Sequence, residues 1–438
     1  MHPYFPQTPD DIKRMLDVIG LDSVDDLYKD VPAGVRLQND YNLPSAHSEI
    51  EIRKKLAELG KLNKQLVCFA GAGIYDHYTP AIIPQIVERA EYLTSYTPYQ
   101  AEISQGTLHY IFEYQTMMSR LTGMQVSNAS MYDGATATAE AALMAVAATK
   151  KTSKVILSDA IDPKVQEVVK TYAHFHGIQL IMLPTVNGAT DFSSLTDTLA
   201  QGGVAGLIVQ QPNRYGIVED FSGVADRCHE AKALFAINSI AADLAVLKTP
   251  GEWGADIAVG DGQSLGIPMS WGGPYIGYMC CTEKLMRKLP GRIVGQTVDH
   301  DGKRAFVLTL QAREQHIRRQ RATSNICSNE SLMALWVTIY MAAMGPKGLR
   351  EAAQLGCDGA HYLHDALLAT GHFTDAFPDK EFLNEFCVRY DGDLASLQEV
   401  WVAGGFMGGI AVADDTVMLA VTEQRSKKEI DQLVAMIP

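Results

Sequence analysis

From about residue 150 the chain alternates short apolar runs with amphipathic stretches. The runs "KVILSD" (154–159), "IQLIMLP" (178–184), "VAGLIVQQP" (204–212), "LFAINS" (234–239), "ADIAVG" (255–260) and "YIGYMCC" (275–281) read as strands. Between them "DPKVQEVVKTYAHFHG", a short piece near "FSSLTDTLA", and "FSGVADRCHEAKA" predict helices. Apolar strands alternating with amphipathic helices imply a sheet covered on both faces, an open α/β fold. Ligands in such folds sit at the carboxyl ends of the strands. Those ends are Ser158-Asp159, Gln210 to Asn213, Asn238-Ser239 and the loop "VGDGQSLGIPMSWGGP" (259–274).

Upstream, "SQGTLHYIFEYQTMMSRLTGM" (104–124) sets Leu108, Ile111, Phe112, Gln115, Met118 and Leu121 near one helical face and stops at Gly123. The alanine-rich "DGATATAEAALMAVAATK" (133–150) predicts a second helix, with Asp133 at its cap. Residues 1–65 are polar and helix-prone, with Thr8 or Asp10 as a cap. They read as an arm that lies on the main domain or on a partner. After residue 330 a long helix leads into helix 351–369, strand 384–390, helix 393–403, strand 416–421 and helix 426–436. The expected division is an arm (1–65), a large domain (66–330) and a small α/β domain (331–438).

Charge narrows the function. A formal net charge of −14 over 438 residues disfavours nucleic acid and an anionic membrane surface. No apolar run reads as a membrane span. The amino terminus lacks the basic start and apolar core of a signal peptide. Seven cysteines form no CxxC pair and predict reduced thiols, hence a cytoplasmic protein. His361 and His364, three apart beside Asp358 and Asp365, have metal-like spacing but no third strong ligand, so no metal is expected.

The 259–274 loop has glycines at 260, 262, 266, 272 and 273 but no Lys, Arg, His or Cys. Its charged or amide side chains are Asp261 and Gln263. It reads either as a structural glycine turn or as a ligand or partner contact that lacks a reactive group.

Five blocks carry a resemblance. "YTPYQAEISQG" (96–106), "NASMYDGATATAEA" (128–141), "GADIAVGDGQSLGIP" (254–268), "LPGRIVGQTVD" (289–299) and "QAREQHIRRQRATSNICSN" (311–329) resemble, in order, the amino-terminal half of the glycine cleavage system P-protein. The resemblance implies a fold-type-I pyridoxal-phosphate transferase architecture. It also implies a complex that decarboxylates glycine and passes the aminomethyl group to the lipoyl arm of the H-protein.

In the catalytic half of that family a Schiff-base lysine precedes an Ile-Pro and a glycine-rich stretch. Here Ile267-Pro268 supplies that context and Gln263 stands near the lysine position. An amide forms no imine. On "LFAINS", Asn238 stands in place of the aspartate that keeps the pyridine nitrogen protonated. No lysine occurs between Lys248 and Lys284. The resemblance therefore implies a non-catalytic α chain and a paralogous β chain that holds the pyridoxal phosphate, most simply as α2β2.

Tyr96, Tyr99, Gln100, Glu102 and Gln105 either contact the partner's active-site region or satisfy one another. In the run holding Arg313, Arg318, Arg319 and Arg321, the arginines are a solvated face or reach the partner's cofactor phosphate. Thr323, Ser324 and Asn325 are candidates for the same trans contact. A non-catalytic scaffold that docks the H-protein, and a free-standing fold-type-I enzyme, are the alternatives.

Overall fold

The computed structural model describes the chain except residues 1–3, 5, 38, 40, 150–152, 312–314 and 327. The chain divides into two units, 1–64 and 65–438. The first holds helices α1 (Pro9–Ile19) and α2 (Glu49–Gly60). Thr8 caps α1 in a reciprocal capping box with Asp11, and Gly20 ends it in the left-handed region.

The second unit is built on a seven-stranded sheet. Its strands are β1 (Val126–Ser127), β2 (Lys154–Ser158), β3 (Gln179–Leu183), β4 (Val204–Gln211), β5 (Leu234–Ser239), β6 (Ile257–Asp261) and β7 (Gly277–Cys281). The spatial order is β1-β7-β6-β5-β4-β2-β3. The pairs from β3 to β6 are parallel, and β7 runs antiparallel to both β6 and β1.

Alternation splits each strand between two cores. Val155 and Leu157 pack on one face of the sheet and Ile156 on the other. Both faces are covered over the central strands β4, β5 and β6, which are nearly all buried, while the edge strand β3 is partly exposed. Helix α3 (Gln105–Thr122) buries Leu108, Ile111, Gln115 and Met118 and ends at Gly123 as the periodicity predicts. Helix α4 (Gly134–Thr149) buries Ala137, Ala141 and Ala145, small residues that let it lie close to the strands. Helix α5 (Pro163–His176) starts at Asp162.

Helix α6 spans Ser331–Ala369 but breaks at Gly345, whose φ of 60° and ψ of 176° are non-helical, immediately before Pro346. By length and composition alone α6 passes as a membrane span. Here it serves packing, because Met333, Ala334, Leu335, Val337, Tyr340 and Met341 are buried in the core shared with α3.

A smaller antiparallel sheet holds β8 (Phe373–Asp375), β9 (Glu385–Tyr390), β10 (Ile410–Ala411) and β11 (Thr416–Ala420), in the order β8-β9-β11-β10. Its core includes Phe69, Trp401 and Leu419. The segment around Tyr75 joins the two sheets: Tyr75 donates its hydroxyl to Glu385 at 3.0 Å and its backbone pairs with Gln263.

Candidate functional site

The carboxyl ends of β4, β5 and β6, together with the starts of α4 and α5, frame a cleft of about 360 Å³. Its lining includes Asp133, Asp162, Gln210, Asn238, Asp261 and Tyr275. The loops 72–74 and 272–275 form its rim. This is the position the open α/β topology predicts for a ligand.

Two helices aim their amino termini at this cleft, and a helix terminus there ordinarily favours an anion. In this chain carboxylates of the protein itself take the amides. Asp133 Oδ1 accepts from the Thr136 amide at 2.7 Å, which caps α4 as expected. Asp162 Oδ1 accepts from the amides of Lys164 and Val165 at 2.8 and 3.4 Å and caps α5. Asp261 reaches across from β6, and its Oδ2 accepts from the Gly134 amide at 3.1 Å. The approach is close: a Cβ on Gly134 would meet the Asp261 backbone nitrogen at 2.7 Å. Asp261 Oδ1 accepts from the Gln263 amide at 2.8 Å. Burial pushes the Asp261 carboxyl up to about 7; those two amides pull it down and the charge of Asp133 adds to the rise.

Gln263 is fully buried and faces away from the cleft lining. Its Oε1 accepts from the Tyr75 amide at 2.9 Å. Its Nε2 donates to the carbonyls of Tyr75 at 2.8 Å and Ile267 at 2.7 Å. Every polar atom of the side chain thus serves the fold. Asn238, at the end of β5 and only 8% exposed, does line the cleft, and its amide has no hydrogen-bond partner among the described residues.

These residues do not fit pyridoxal phosphate. No lysine, arginine or histidine is among the described residues that line the cleft. Two carboxylates already occupy the first amides of α4, where a phosphate would sit. A dianion about 4 Å from a carboxylate would be opposed by several kcal/mol per charge pair, since one unit pair costs about 4 kcal/mol at an effective dielectric of about 20.

The remaining candidates lie elsewhere. Tyr96 and Tyr99 are exposed and meet edge to face, with centroids 6.5 Å apart. Gln100 and Glu102 are exposed beside them. Gln105 is a staple instead: it exchanges hydrogen bonds with both backbone groups of Phe306 at 2.9 Å. None of these five lines the cleft. Arg319, Thr323, Ser324 and Asn325 gather around a separate hollow of about 400 Å³ over α4, where the Ser324 hydroxyl donates to Glu140 at 2.6 Å. Arg318 lines neither space, and Arg321 is exposed. Arg313 lies outside the described residues. His361 stacks on Phe382 with centroids 4.1 Å apart, and His364 packs against Phe382 and Phe386.

Sequence reasoning missed Asp162, Tyr275 and the Tyr75–Glu385 link. Asp162-Pro163 was a readable helix start after a strand. The link between Tyr75 and Glu385 had no local signal.

A model of the glycine cleavage system P-protein family matches residues 2–437. This chain belongs to the glycine cleavage system P-protein family. Among P-protein relatives, the "probable glycine dehydrogenase (decarboxylating) subunit 1" of Anoxybacillus flavithermus is 46% identical, over 99% of this chain and 98% of that one. The protein of the same name from Lysinibacillus sphaericus is 45% identical over the same shares. Among solved structures, an inhibitor-bound glycine decarboxylase (P-protein) superposes with a TM-score of 0.91 at 38% identity, over the whole of both chains. A sphingosine-1-phosphate lyase from Burkholderia pseudomallei has a TM-score of 0.67 at 12% identity, covering 93% of each chain, and shares the fold alone. The architecture is that of the fold-type-I pyridoxal-phosphate enzymes.

Proposed function

We propose that this chain is the α subunit of a heteromeric glycine decarboxylase and does not itself hold pyridoxal phosphate. A paralogous β chain carries the cofactor, most simply in an α2β2 complex. The complex decarboxylates glycine and passes the aminomethyl group to the lipoyl arm of the H-protein. The observation that carries this reading is that the groups a cofactor would need are engaged elsewhere: Gln263 is spent on three buried hydrogen bonds, and Asp261 occupies the Gly134 amide. The full-length match to relatives named subunit 1 supports a second subunit.

Within that complex, Arg318, Arg319, Thr323, Ser324 and Asn325 are our candidates for contact with the β chain's cofactor phosphate. The exposed Tyr96, Tyr99, Gln100 and Glu102 are our candidates for the subunit interface. A cytoplasmic setting is our expectation, since seven cysteines without a CxxC pair suit reduced thiols.

The test is reconstitution. The chain alone should show neither glycine–CO2 exchange nor an internal-aldimine absorbance with pyridoxal phosphate, and both should appear when the β chain is added. Exchange by this chain without a partner would establish a free-standing enzyme instead. A β chain fully active without it would leave only the scaffold reading.

A further inference from the structure

The cleft at the ends of β4, β5 and β6 has a volume of about 360 Å³, and no lysine, arginine or histidine is among its described lining residues. Its walls carry Asp133, Asp162 and Asp261. Asp133 and Asp162 each cap a helix through Oδ1, which leaves the second oxygen of each outside those caps.

Capping alone does not explain the floor. Asn238 is only 8% exposed and lines the cleft, and its side-chain amide makes no hydrogen bond among the described residues. Polar groups so little exposed are ordinarily paired, so an unpaired amide at the wall of a cavity marks a place where something else binds. We propose that this cleft binds a small organic cation bearing a primary ammonium group.

The chemistry selects that class. Three carboxylates with no cation among the described lining residues repel phosphates and carboxylates. Among the described residues, no three His, Cys, Asp or Glu side chains converge closely enough to hold a metal ion. An ammonium group spreads three donors over separate acceptors, here the outer oxygens of Asp133 and Asp162 and the Asn238 carbonyl. The Asn238 NH2 remains for a neutral carbonyl or hydroxyl on the same ligand. A ligand with its own carboxylate, such as a free amino acid, is disfavoured by the same carboxylates.

This inference rests on the reading that the cleft is not the cofactor's site, and the test separates the two. The full-length chain is titrated with ethylammonium, acetate, inorganic phosphate and pyridoxal phosphate, with binding followed by ligand-observed NMR and calorimetry. Ethylammonium is expected to bind saturably at one site per chain, and acetate and phosphate are not. Asp133→Asn and Asp162→Asn each keep a helix cap, because Asn caps about as well as Asp. Each should weaken ethylammonium binding by about tenfold or more, the loss of one charge-assisted hydrogen bond, with the melting temperature nearly unchanged. Asn238→Leu, which fills the floor, should abolish it.

Failure of the wild type to bind ethylammonium, or unchanged binding in both aspartate variants, overturns the proposal and leaves the cofactor-free reading standing. Tight uptake of pyridoxal phosphate by this chain alone overturns both.

Discussion

Restoring a lysine at position 263 should break the fold before it makes a nucleophile. The Gln263 side chain makes three hydrogen bonds in a fully buried position. Lysine has no acceptor, so Gln263→Lys orphans the Tyr75 N–H at a cost of about 1–3 kcal/mol. The carbonyls of Tyr75 and Ile267 lose their donor, at about 0.5–1.5 kcal/mol each, unless a charged ammonium is buried to replace it. The sum is about 2–6 kcal/mol, a large part of the roughly 5–15 kcal/mol typical of a folded domain. The new amine would also be directed toward Tyr75 rather than into the cleft. The assay is urea unfolding of wild type, Gln263→Lys and the uncharged Gln263→Met, combined with absorbance after adding pyridoxal phosphate. Both variants should unfold at lower urea, and neither should develop an aldimine band. A lysine variant as stable as wild type that forms the aldimine would refute the structural role assigned to Gln263.

Asp243 and Glu385 are buried, and burial pushes each carboxyl up to about 7; their mutual charge raises Asp243 further and His77 opposes it, while the Ala72 amide and the Tyr75 hydroxyl hold Glu385 down. Folded values above the unfolded ones mean the native state holds these protons more tightly, so this contribution is present below about pH 4 and is lost as pH rises towards 7. Asp243→Asn should therefore stabilise the chain above pH 7, by about 4 kcal/mol for a shift of about three units; equal wild-type and variant unfolding at pH 8 would exclude Asp243 as the source. Separate Arg318→Ala and Arg319→Ala substitutions in the assembled complex should weaken its hold on pyridoxal phosphate about 10- to 150-fold if that arginine meets the phosphate. Normal assembly with wild-type cofactor affinity in both variants would remove these two arginines from the site.

The sequence showed most where the physics is local. A strong period of apolar positions marked α3, and Gly123 marked its end within one residue. A long helix after residue 330 and a helix over 351–369 were expected as separate elements, and non-helical Gly345 does divide α6 in two, the second part starting at Pro346, where a proline is tolerated. The antiparallel pair Ile293–Val298 and Arg304–Thr309 escaped notice. Its outer half is exposed, so the alternation that betrays a strand fades after Gly295.

The cleft divides in the same way. That residue 263 could form no imine was legible from its side chain alone. What the amide does instead was not, because its partner Tyr75 lies 188 positions away. Asp261 was visible as a charge in a glycine loop, but its hold on Gly134, 127 positions away, exists only once the sheet has formed.

That hold gives the protein a built-in competitor. A tethered carboxylate acts on its site at an effective concentration on the order of millimolar or higher, without diffusing away. Any free phosphate must outbid Asp261 for the Gly134 amide. If this chain holds no pyridoxal phosphate, as proposed, binding it would require at least three coordinated changes: a lysine that reaches the cleft, an acid at 238, and removal of the carboxylate at 261. No single step along that path yields a working site, and the first one sacrifices bonds the fold depends on.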